Sequence, residues 1–252
     1  MTASRHLEPP RSDRVRRPRR LVMVALRPLA RLFVRRRLKV RVHGSDKVPT
    51  RGPVIYAGNH TAILDGPLLV IFAPQAVHAL TKVEMFVGRM GRFLRAAVQL
   101  PLDRFHPDPG AVRTCLQLLR DGHSIGIFPE GRRGAGDLER VHPGAAYFAL
   151  VTGAPVVPVI FLGTREPGGH TDSVPRKGSA VDIFFGSPIA FEAIPWPRTR
   201  EQVEKVSVQI REHMLATLDD AIASSGRVLP GPLPDEEVEP DPSTGVIERD
   251  AS

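Results

Sequence analysis

Strand-like and helix-like segments alternate between residues 38 and 225 of this chain. Short apolar runs bounded by Gly, Pro or polar residues are typical of buried strands, and the segments between them carry apolar side chains at helical spacing. The predicted strands cover 38–43, 53–57, 77–81, 98–101, 124–128, 156–161 and 180–185. The predicted helices cover 66–73, 85–96, 109–120, 143–152 and 200–222. This alternation predicts an α/β fold, a single domain with a largely parallel central sheet flanked by helices.

The positive charge of the chain is concentrated at its N-terminus. The 252 residues carry a net charge of +8, and residues 1–41 hold 14 Lys and Arg against 2 Asp and Glu. Residues 42–225 are close to neutral, with 19 against 18, and residues 226–252 are acidic, with 2 against 7. Binding to a nucleic-acid backbone needs basic residues on the folded surface, so this distribution argues against a nucleic-acid partner.

The N-terminal region divides into two parts. Residues 1–20 are rich in Arg and Pro, which predicts a disordered basic segment. Residues 21–37 are mostly apolar, but Arg27, Pro28 and Arg31 interrupt them, and the run is shorter than the roughly 20 residues that cross a bilayer. We expect an interfacial amphipathic helix whose flanking arginines meet an anionic membrane surface. A helix packed on the domain is the alternative, because amphipathicity alone does not separate the two.

Outside these segments the domain is expected to cover residues 38–225, with a disordered acidic tail over 226–252. The single cysteine, Cys115, excludes an internal disulfide and lies at a core position of a predicted helix. The nine histidines show no metal-binding spacing, so no metal site is predicted. The sequence does not indicate the oligomeric state.

A histidine lies on the turn between a predicted strand and a predicted helix. His60 follows the apolar run 53–57, and Asp65 comes five residues later, at or near the cap of the helix. A carboxylate in this position can accept a hydrogen bond from one imidazole nitrogen and leave the other free to take a proton. Because neither Ser nor Cys is adjacent, the nucleophile would be a hydroxyl of the substrate. The alternative is a turn histidine and a simple helix cap, since the pattern is short.

Three further stretches follow or form strands of the predicted sheet, where the loops of α/β proteins build sites. Arg104 follows the strand at 98–101. The sequence Phe-Pro-Glu-Gly-Arg-Arg-Gly at 128–134 supplies a glycine and two arginines that can hold phosphate oxygens. Pro158 lies inside an apolar run that suggests a wall. Taken singly, a surface ion pair, a helix cap and an edge-strand proline would explain Arg104, Glu130 and Pro158.

The order of these motifs resembles the glycerophospholipid acyltransferase family, most closely the lysophosphatidic acid (1-acylglycerol-3-phosphate) acyltransferases. The shared order is N-H-x-x-x-x-D, an arginine after an apolar strand, F-P-E-G-x-R and a V-P-V strand, and the resemblance covers roughly 38–190. It implies that His60 is the general base and Asp65 its orienting partner. It also implies an O-acyltransferase of phospholipid biosynthesis that needs no cofactor.

The resemblance assigns the remaining positions to substrate binding. It places Arg104, Glu130, Gly131 and Arg133 in the acceptor site, with Arg104 and Arg133 on the glycerol phosphate, and Pro158 beside the acyl chain or the donor. The chain departs from the family at Arg132, where the family commonly has a small or hydroxyl residue. This second guanidinium also belongs to the substrate-binding set and leaves the identity of the acceptor open.

The implied reaction moves a fatty acyl group from acyl-CoA or acyl carrier protein to the free hydroxyl of a lysophospholipid, with phosphatidic acid as the expected product. The implied location is the cytoplasmic face of the cell membrane, with peripheral or monotopic attachment. Three alternatives stay open: an acyltransferase for another anionic lysolipid or glycolipid, a lipid hydrolase, and a non-catalytic membrane-binding module. The absence of a G-x-S-x-G sequence argues against the hydrolase.

Overall fold

The computed structural model describes residues 21–237 and 247–248. Its helices are α1 (Leu21–Arg37), α2 (Asp65–Phe72), α3 (Gly88–Ala96), α4 (Pro109–Arg120), α5 (Gly144–Thr152) and α6 (Arg200–Ser225). Its strands are β1 (Lys39–His43), β2 (Ile55–Gly58), β3 (Val77–Lys82), β4 (Leu100–Leu102), β5 (Ser124–Ile127), β6 (Arg140–Val141), β7 (Val156–Leu162), β8 (Ala180–Phe185) and β9 (Ile247–Glu248).

Seven of the described strands form one sheet in the order β1-β8-β7-β2-β5-β3-β4. Every neighbouring pair is parallel except β7 and β8. Ile55 of the central strand β2 is in register with Ile125 on one side and Val156 on the other. The α/β fold with a largely parallel sheet is therefore confirmed. The carboxyl ends of β2, β4, β5 and β7 share one edge of the sheet, where ligands bind in such folds.

Hydrophobic cores cover both faces of the sheet. Alternate residues of β2 point to opposite sides: Ile55 and Ala57 belong to the core beneath α4, α5 and α6, whereas Tyr56 belongs to the core beneath α2. A strand that is covered on both faces is apolar throughout, and all of β7 is buried. Cys115 lies in the first of these cores with no exposed surface, and its burial raises the pKa of the thiol to about 12. The predicted core role of this cysteine is confirmed.

Local sequence signals explain several helix boundaries. The side chain of Asp108 accepts the backbone N–H of Ala111 at 2.9 Å and caps α4, which starts at Pro109. Thr199 and Gln202 form a reciprocal capping box at the start of α6. This helix ends at Gly226, which has a φ of 65°. Both helices therefore begin where the sequence predicts.

Apart from shifts of one to three residues at other element ends, the structure departs from the predicted elements at α3 and at two short strands. Helix α3 starts at Gly88, three residues later than predicted, because residues 83–86 form a separate 3-10 turn and Val87 is extended. The two-residue strands β6 and β9 pair with each other and were not predicted. Runs of two residues are too short to show a period in the sequence.

The predicted helix at 21–37 is present as α1, and two of its arginines, Arg27 and Arg31, face the domain. Nε of Arg31 donates to the carbonyl of Ile71 at 2.8 Å, and both Arg27 and Arg31 donate to the carbonyl of Ala73. These carbonyls end α2, where cationic side chains are favoured. Burial, with the nearby charge of Arg31, lowers the pKa of Arg27 to about 10.

The outer surface of α1 is apolar. Leu26, Leu29, Leu32 and Phe33 are all more than half exposed, Phe33 most of all at 72%. A helix that turns two arginines inward and its large apolar residues outward is unusual for a protein surface in water. Within the described ranges, no helix combines the length and the apolar character that crossing a membrane requires.

A buried carboxylate joins β1 and β8 to the end of the domain. Asp182 has no exposed surface and accepts hydrogen bonds from Nε and Nη2 of Arg41, at 2.7 and 2.6 Å. It also pairs with Nε2 of His43 and accepts from Nε of Arg227. Burial alone would raise the pKa of Asp182, but these hydrogen bonds lower it to about 2. Arg227 thus fixes the chain just after α6.

The predicted disordered segments lie partly outside the described residues. Residues 1–20 and most of 238–252 are not among the described residues. The first stretch of the predicted acidic tail, 226–237, is described and contacts the domain: the carbonyl of Gly231 accepts Nη2 of Arg165 at 2.6 Å, and Glu237 accepts the backbone N–H of Thr171 at 2.9 Å. These contacts extend the packed part of the chain beyond the predicted boundary.

Candidate active site

His60 and Asp65 meet at the carboxyl end of β2. Nδ1 of His60 lies 3.0 Å from Oδ2 of Asp65, and the same oxygen accepts the backbone N–H groups of Thr61 at 2.7 Å and Ala62 at 2.8 Å. Asp65 has no exposed surface, whereas the side chain of His60 is 18% exposed. With Nδ1–H donating to the carboxylate, Nε2 is the nitrogen that can take a proton.

Asp65 holds the turn rather than capping the helix. The N-cap position of α2 is Leu64, which has no side-chain cap, and Asp65 is the first helical residue. Its carboxylate instead turns back to the backbone that precedes it. Asp65 therefore lies next to the cap, as predicted, and the geometry favours the dyad over the simple cap.

Phe128, which begins the F-P-E-G motif, stacks on the imidazole of His60. The two ring centroids are 4.2 Å apart, with 24° between the planes. A Cβ atom on Gly58 would lie 2.9 Å from the ring of Phe128, so a side chain at this position would push the ring away. The glycine before Asn59 and His60 thus allows the first and third motifs to touch.

The backbone of His60 is held by the loop that follows β5. Its N–H donates to Oε1 of Glu130 at 2.8 Å, and its carbonyl accepts the N–H of Gly134 at 2.9 Å. Burial raises the pKa of Glu130 to about 8. The structure therefore places Glu130 against the backbone of His60, and its contact with an acceptor stays a prediction.

Arg104 reaches the same loop from the end of β4. Its Nη1 donates to the carbonyl of Gly131 at 2.8 Å, and its guanidinium lies 5.5 Å from the ring centroid of Phe105. Gly131 has a φ of 70°, and a Cβ atom there would lie 2.6 Å from the ring of His142. Only glycine fits this position, and its carbonyl joins the second and third motifs.

The two arginines after Gly131 occupy different surroundings. Arg133 pairs with the carboxylate of Asp172 and donates to the carbonyl of Thr171 at 3.4 Å. The side chain of Asp172 is 72% exposed, so water can replace this pairing. Arg132 lies close enough to Glu130 for its charge to lower the pKa of that carboxyl, against the larger effect of burial.

Pro158 lies inside the sheet. It is in register with Ala57 of β2, and its carbonyl accepts the N–H of Gly186 at 2.9 Å. Strand β7 has neighbours on both sides, so the edge-strand explanation of this proline is wrong. Its place beside the acyl chain or the donor stays a prediction.

Sequence reasoning missed two polar residues that hold this site together. Asn59 is fully buried, and its Oδ1 accepts the backbone N–H of Phe161 on β7 at 2.8 Å. Arg165 follows β7, is 2% exposed and donates to the carbonyl of Thr61 at 3.1 Å. The signal for Arg165 was its position after an apolar strand, which is the signal that singled out Arg104.

The site carries acid–base chemistry without a cysteine or serine nucleophile beside the imidazole. In the described part of the chain, no three His, Cys, Asp or Glu side chains are grouped to hold a metal ion. An imidazole oriented by a buried carboxylate can take a proton from a bound hydroxyl. Guanidinium groups on the adjoining loop suit an anionic group of the substrate.

Comparison with known proteins places the chain among acyltransferases. A family model described as Acyltransferase matches residues 39–162. A 1-acyl-sn-glycerol-3-phosphate acyltransferase of Bacillus subtilis is 31% identical over 60% of this chain and 73% of the relative. A protein of the same name from Borreliella burgdorferi is 33% identical over 51% of this chain, which spans about half (53%) of that relative.

The fold is shared with a solved structure. The crystal structure of the 1-acyl-sn-glycerophosphate acyltransferase from Thermotoga maritima superposes with a TM-score of 0.58, covers 79% of each chain and is 21% identical. This likeness concerns the fold, while the sequence matches concern the family. The motifs His60 to Asp65 and Phe128 to Arg133 lie inside the matched region. The chain therefore belongs to the acyltransferase family and is an O-acyltransferase.

Proposed function

We propose that this protein transfers a fatty acyl group from a thioester donor, acyl-CoA or acyl carrier protein, to the free hydroxyl of 1-acylglycerol-3-phosphate, giving phosphatidic acid. The observation that carries the proposal is the dyad of His60 and Asp65 next to a loop with two arginines. The names of the relatives from Bacillus subtilis and Borreliella burgdorferi support the choice of acceptor.

The reaction proceeds by direct transfer. Nε2 of neutral His60 takes the proton of the acceptor hydroxyl while its oxygen attacks the thioester carbonyl. A C–O bond forms, the C–S bond breaks, and the imidazolium returns the proton to the leaving thiolate. Asp65 keeps Nδ1 protonated and stabilises the imidazolium. A base in this position contributes roughly 100-fold to 10,000-fold, and alignment of hydroxyl and thioester contributes a comparable or larger factor.

The phosphate of the acceptor binds to the arginines of the second and third motifs. Arg104 is already directed to the loop by its bond to Gly131. Arg133 joins when the phosphate replaces the exposed carboxylate of Asp172. A phosphate dianion is the stronger partner for a guanidinium that can bind it in two places. Arg132 adds a third positive charge, so another anionic lysolipid is the second candidate acceptor.

The enzyme takes its acceptor from an anionic membrane surface, at the cytoplasmic face of the cell membrane. The exposed apolar side of α1, formed by Leu26, Leu29, Leu32 and Phe33, inserts among the lipids, and residues 1–20 and 35–37 supply arginines for the headgroups. An acceptor with one long acyl chain resides in the membrane, so a surface-bound enzyme meets it at high local concentration.

Helix α3 offers a second surface of the same kind. Val87, Met90 and Phe93 are 70%, 52% and 64% exposed, and Arg89 and Arg92 lie among them. Apolar side chains next to arginines suit the boundary between acyl chains and anionic headgroups. Because α3 leads directly into β4 and Arg104, this contact brings the phosphate-binding end of the site close to the lipid surface.

A product assay tests the proposal. Purified protein is mixed with labelled acyl-CoA, or labelled acyl carrier protein, and a panel of lysophospholipids in vesicles. We expect labelled phosphatidic acid from 1-acylglycerol-3-phosphate, and no product with His60→Ala. His213→Ala, a histidine variant on α6, is the matched control and should keep activity. Transfer to a different lysolipid would show that the acceptor is not 1-acylglycerol-3-phosphate. Release of free fatty acid alone would indicate a hydrolase.

A further inference from the structure

Arg165 is a buried arginine that joins four segments of the chain. Its Nε donates to the carbonyl of Thr61 at 3.1 Å and its Nη1 to that of Gly169 at 3.1 Å. Its Nη2 donates to the carbonyls of Gly134 at 3.0 Å and Gly231 at 2.6 Å. A buried guanidinium is costly unless its donors are satisfied, and here every nitrogen has a carbonyl partner.

Two of these carbonyls belong to residues whose own N–H groups help to hold the His60 turn. Thr61 follows the histidine, and its own N–H is one of the donors on Asp65. Gly134 donates its N–H to the carbonyl of His60. The neighbour of Arg165 strengthens the same junction, because the hydroxyls of Thr164 and Thr61 are hydrogen-bonded at 2.9 Å. The segment after β7 thus fixes the first motif against the third.

The charge of Arg165 also acts on the dyad. Burial lowers the pKa of Arg165, and the negative charge of Asp65 opposes that shift. The attraction between the two groups is mutual, so the guanidinium offsets part of the cost of enclosing the carboxylate. Asp65 needs this help, because it is fully enclosed and its Oδ1 has no hydrogen-bond partner among the described residues.

We propose that Arg165 is a positioning residue for the catalytic dyad: it holds the His60 turn against the loop after β5 and supplies the positive charge that balances buried Asp65. The inference rests on the proposed role of His60 as general base. It assigns no substrate contact to Arg165, since its guanidinium nitrogens are all engaged with the backbone.

Charge and geometry can be separated at this position. Lysine keeps the positive charge, but its single ammonium group cannot reach carbonyls of four segments as a planar guanidinium does. Glutamine loses both these hydrogen bonds and the positive charge. Arg165→Lys therefore tests the hydrogen bonds, and the difference between Arg165→Lys and Arg165→Gln tests the charge. Arg200→Gln, at an 85% exposed arginine of α6, is the matched control.

The pH dependence has to be interpreted among the charges around the His60 turn and the loop that holds it. These include Asp65 on its own turn, Glu130, Arg132 and Asp137 on the loop after β5, Arg104 from the end of β4, and Arg165. Removal of one cation from this set makes protonation of the imidazole easier. The acidic limb of kcat/KM should therefore move to higher pH in Arg165→Gln and stay in place in Arg165→Lys.

The experiment measures kcat, both KM values and the pH profile of the full-length protein with acyl-CoA and 1-acylglycerol-3-phosphate in vesicles. We expect kcat to fall about 10-fold to 100-fold in both variants, because a slight displacement of a general base has effects of this size. Both KM values should stay within about twofold, since no binding contact is lost. Arg200→Gln should match the wild type throughout.

Three results would overturn the proposal. One is wild-type kcat with an unmoved acidic limb in Arg165→Gln. Another is a raised KM for the lysolipid at unchanged kcat, which would make Arg165 an acceptor ligand. The third is loss of the thermal unfolding transition in both variants, which would make Arg165 a residue for the stability of the whole domain.

A second readout does not need turnover. NMR titration of the His60 imidazole should give a higher pKa in Arg165→Gln than in the wild type or in Arg165→Lys. If the wild type transferred no acyl group to any lysolipid, the proposed function would fail while this titration still decided the role of Arg165. An unchanged titration together with normal wild-type activity would reject the positioning role alone.

Discussion

The backbone N–H of His60 donates to Oε1 of Glu130 at 2.8 Å. The glutamate of the third motif therefore holds the backbone of the histidine in the first motif. A glutamine can accept the same hydrogen bond, whereas an alanine cannot. We expect Glu130→Gln to keep kcat within about threefold, and Glu130→Ala to lose about tenfold or more, the worth of one such bond. Steady-state rates of both variants test this. An equal loss of kcat in both variants would show that the carboxyl group itself, and not only its hydrogen bond to His60, is needed.

Glu130 should also affect stability as pH rises. Its folded pKa, raised by burial to about 8, lies above the ordinary value of 4.5. Between these two values the native state holds a proton that the unfolded state has released. Stability from this group is therefore full below pH 4.5 and declines up to about pH 8. Urea unfolding at pH 5 and pH 8 should show a smaller decline for Glu130→Gln than for the wild type.

The dyad makes separate demands on its two members. His60→Ala should remove nearly all turnover without unfolding the protein, because the proton has no other acceptor in place. Asp65→Asn should lower kcat by about 10,000-fold, the loss seen when the orienting carboxylate of such a pair is replaced. Circular dichroism confirms folding, and His213→Ala is the control. Wild-type rates in a folded His60→Ala variant would contradict the mechanism.

The pairing of Arg133 with Asp172 gives a prediction about the acceptor. Arg104→Gln or Arg133→Gln should raise the KM of the lysolipid by about tenfold to a hundredfold, and that of the donor far less, because a charge-assisted hydrogen bond to phosphate is lost. Asp172→Asn should lower the KM of the lysolipid, since a competitor for Arg133 is removed. If the KM of the donor increased instead in the arginine variants, Arg104 and Arg133 would have to be assigned to the donor site.

Arg132 tests which acceptor the enzyme prefers. Arg132→Thr places a hydroxyl residue where the motif resemblance leads us to expect a small or hydroxyl side chain. Higher kcat/KM for 1-acylglycerol-3-phosphate in this variant would indicate that Arg132 suits another anionic lysolipid. A lower value would make Arg132 part of the phosphate site. The panel assay with matched acyl chains distinguishes these results.

Membrane binding should depend on two surfaces. A protein starting at Leu38 should lose most binding to anionic vesicles and keep activity on a monomeric short-chain lysolipid. In the full-length protein, the double change Met90→Ser and Phe93→Ser should weaken vesicle binding relative to the wild type. Val208→Ser, at an exposed valine of α6, should leave binding unchanged and is the control. Salt should weaken only the electrostatic part. Full sedimentation of the truncated protein would place the anchor elsewhere.

The sequence predicted those features that depend on local chemistry. Helix α4 and strand β8 have the expected bounds, because Pro109 with Asp108 and an apolar run of β-branched and aromatic residues are local signals. The meeting of His60 with Asp65 was also predictable, since five residues and one turn separate them. The start of α3 was not, because the extended backbone of Val87 and the positive φ of Gly88 break a run of residues that keeps helical spacing.

The missed parts of the site come from distant segments. Asn59 and Phe161 are joined across neighbouring strands, and Arg165 meets Thr61, Gly134 and Gly231 through carbonyls, which every residue carries. A sequence contains no sign of which carbonyl will face a guanidinium. The role of Glu130 was hidden for the same reason, as its partner is the peptide of His60 rather than a side chain.

The bonds from Arg27 and Arg31 to the end of α2 have a consequence for the geometry of catalysis. Helix α2 begins at Asp65 and ends at the carbonyls that these arginines hold, so α1 and the dyad are attached to opposite ends of one short rigid rod. Eight helical residues span about 12 Å. If α1 lies on a bilayer as proposed, it sets the height of His60 above the lipid through this helix rather than through a flexible linker.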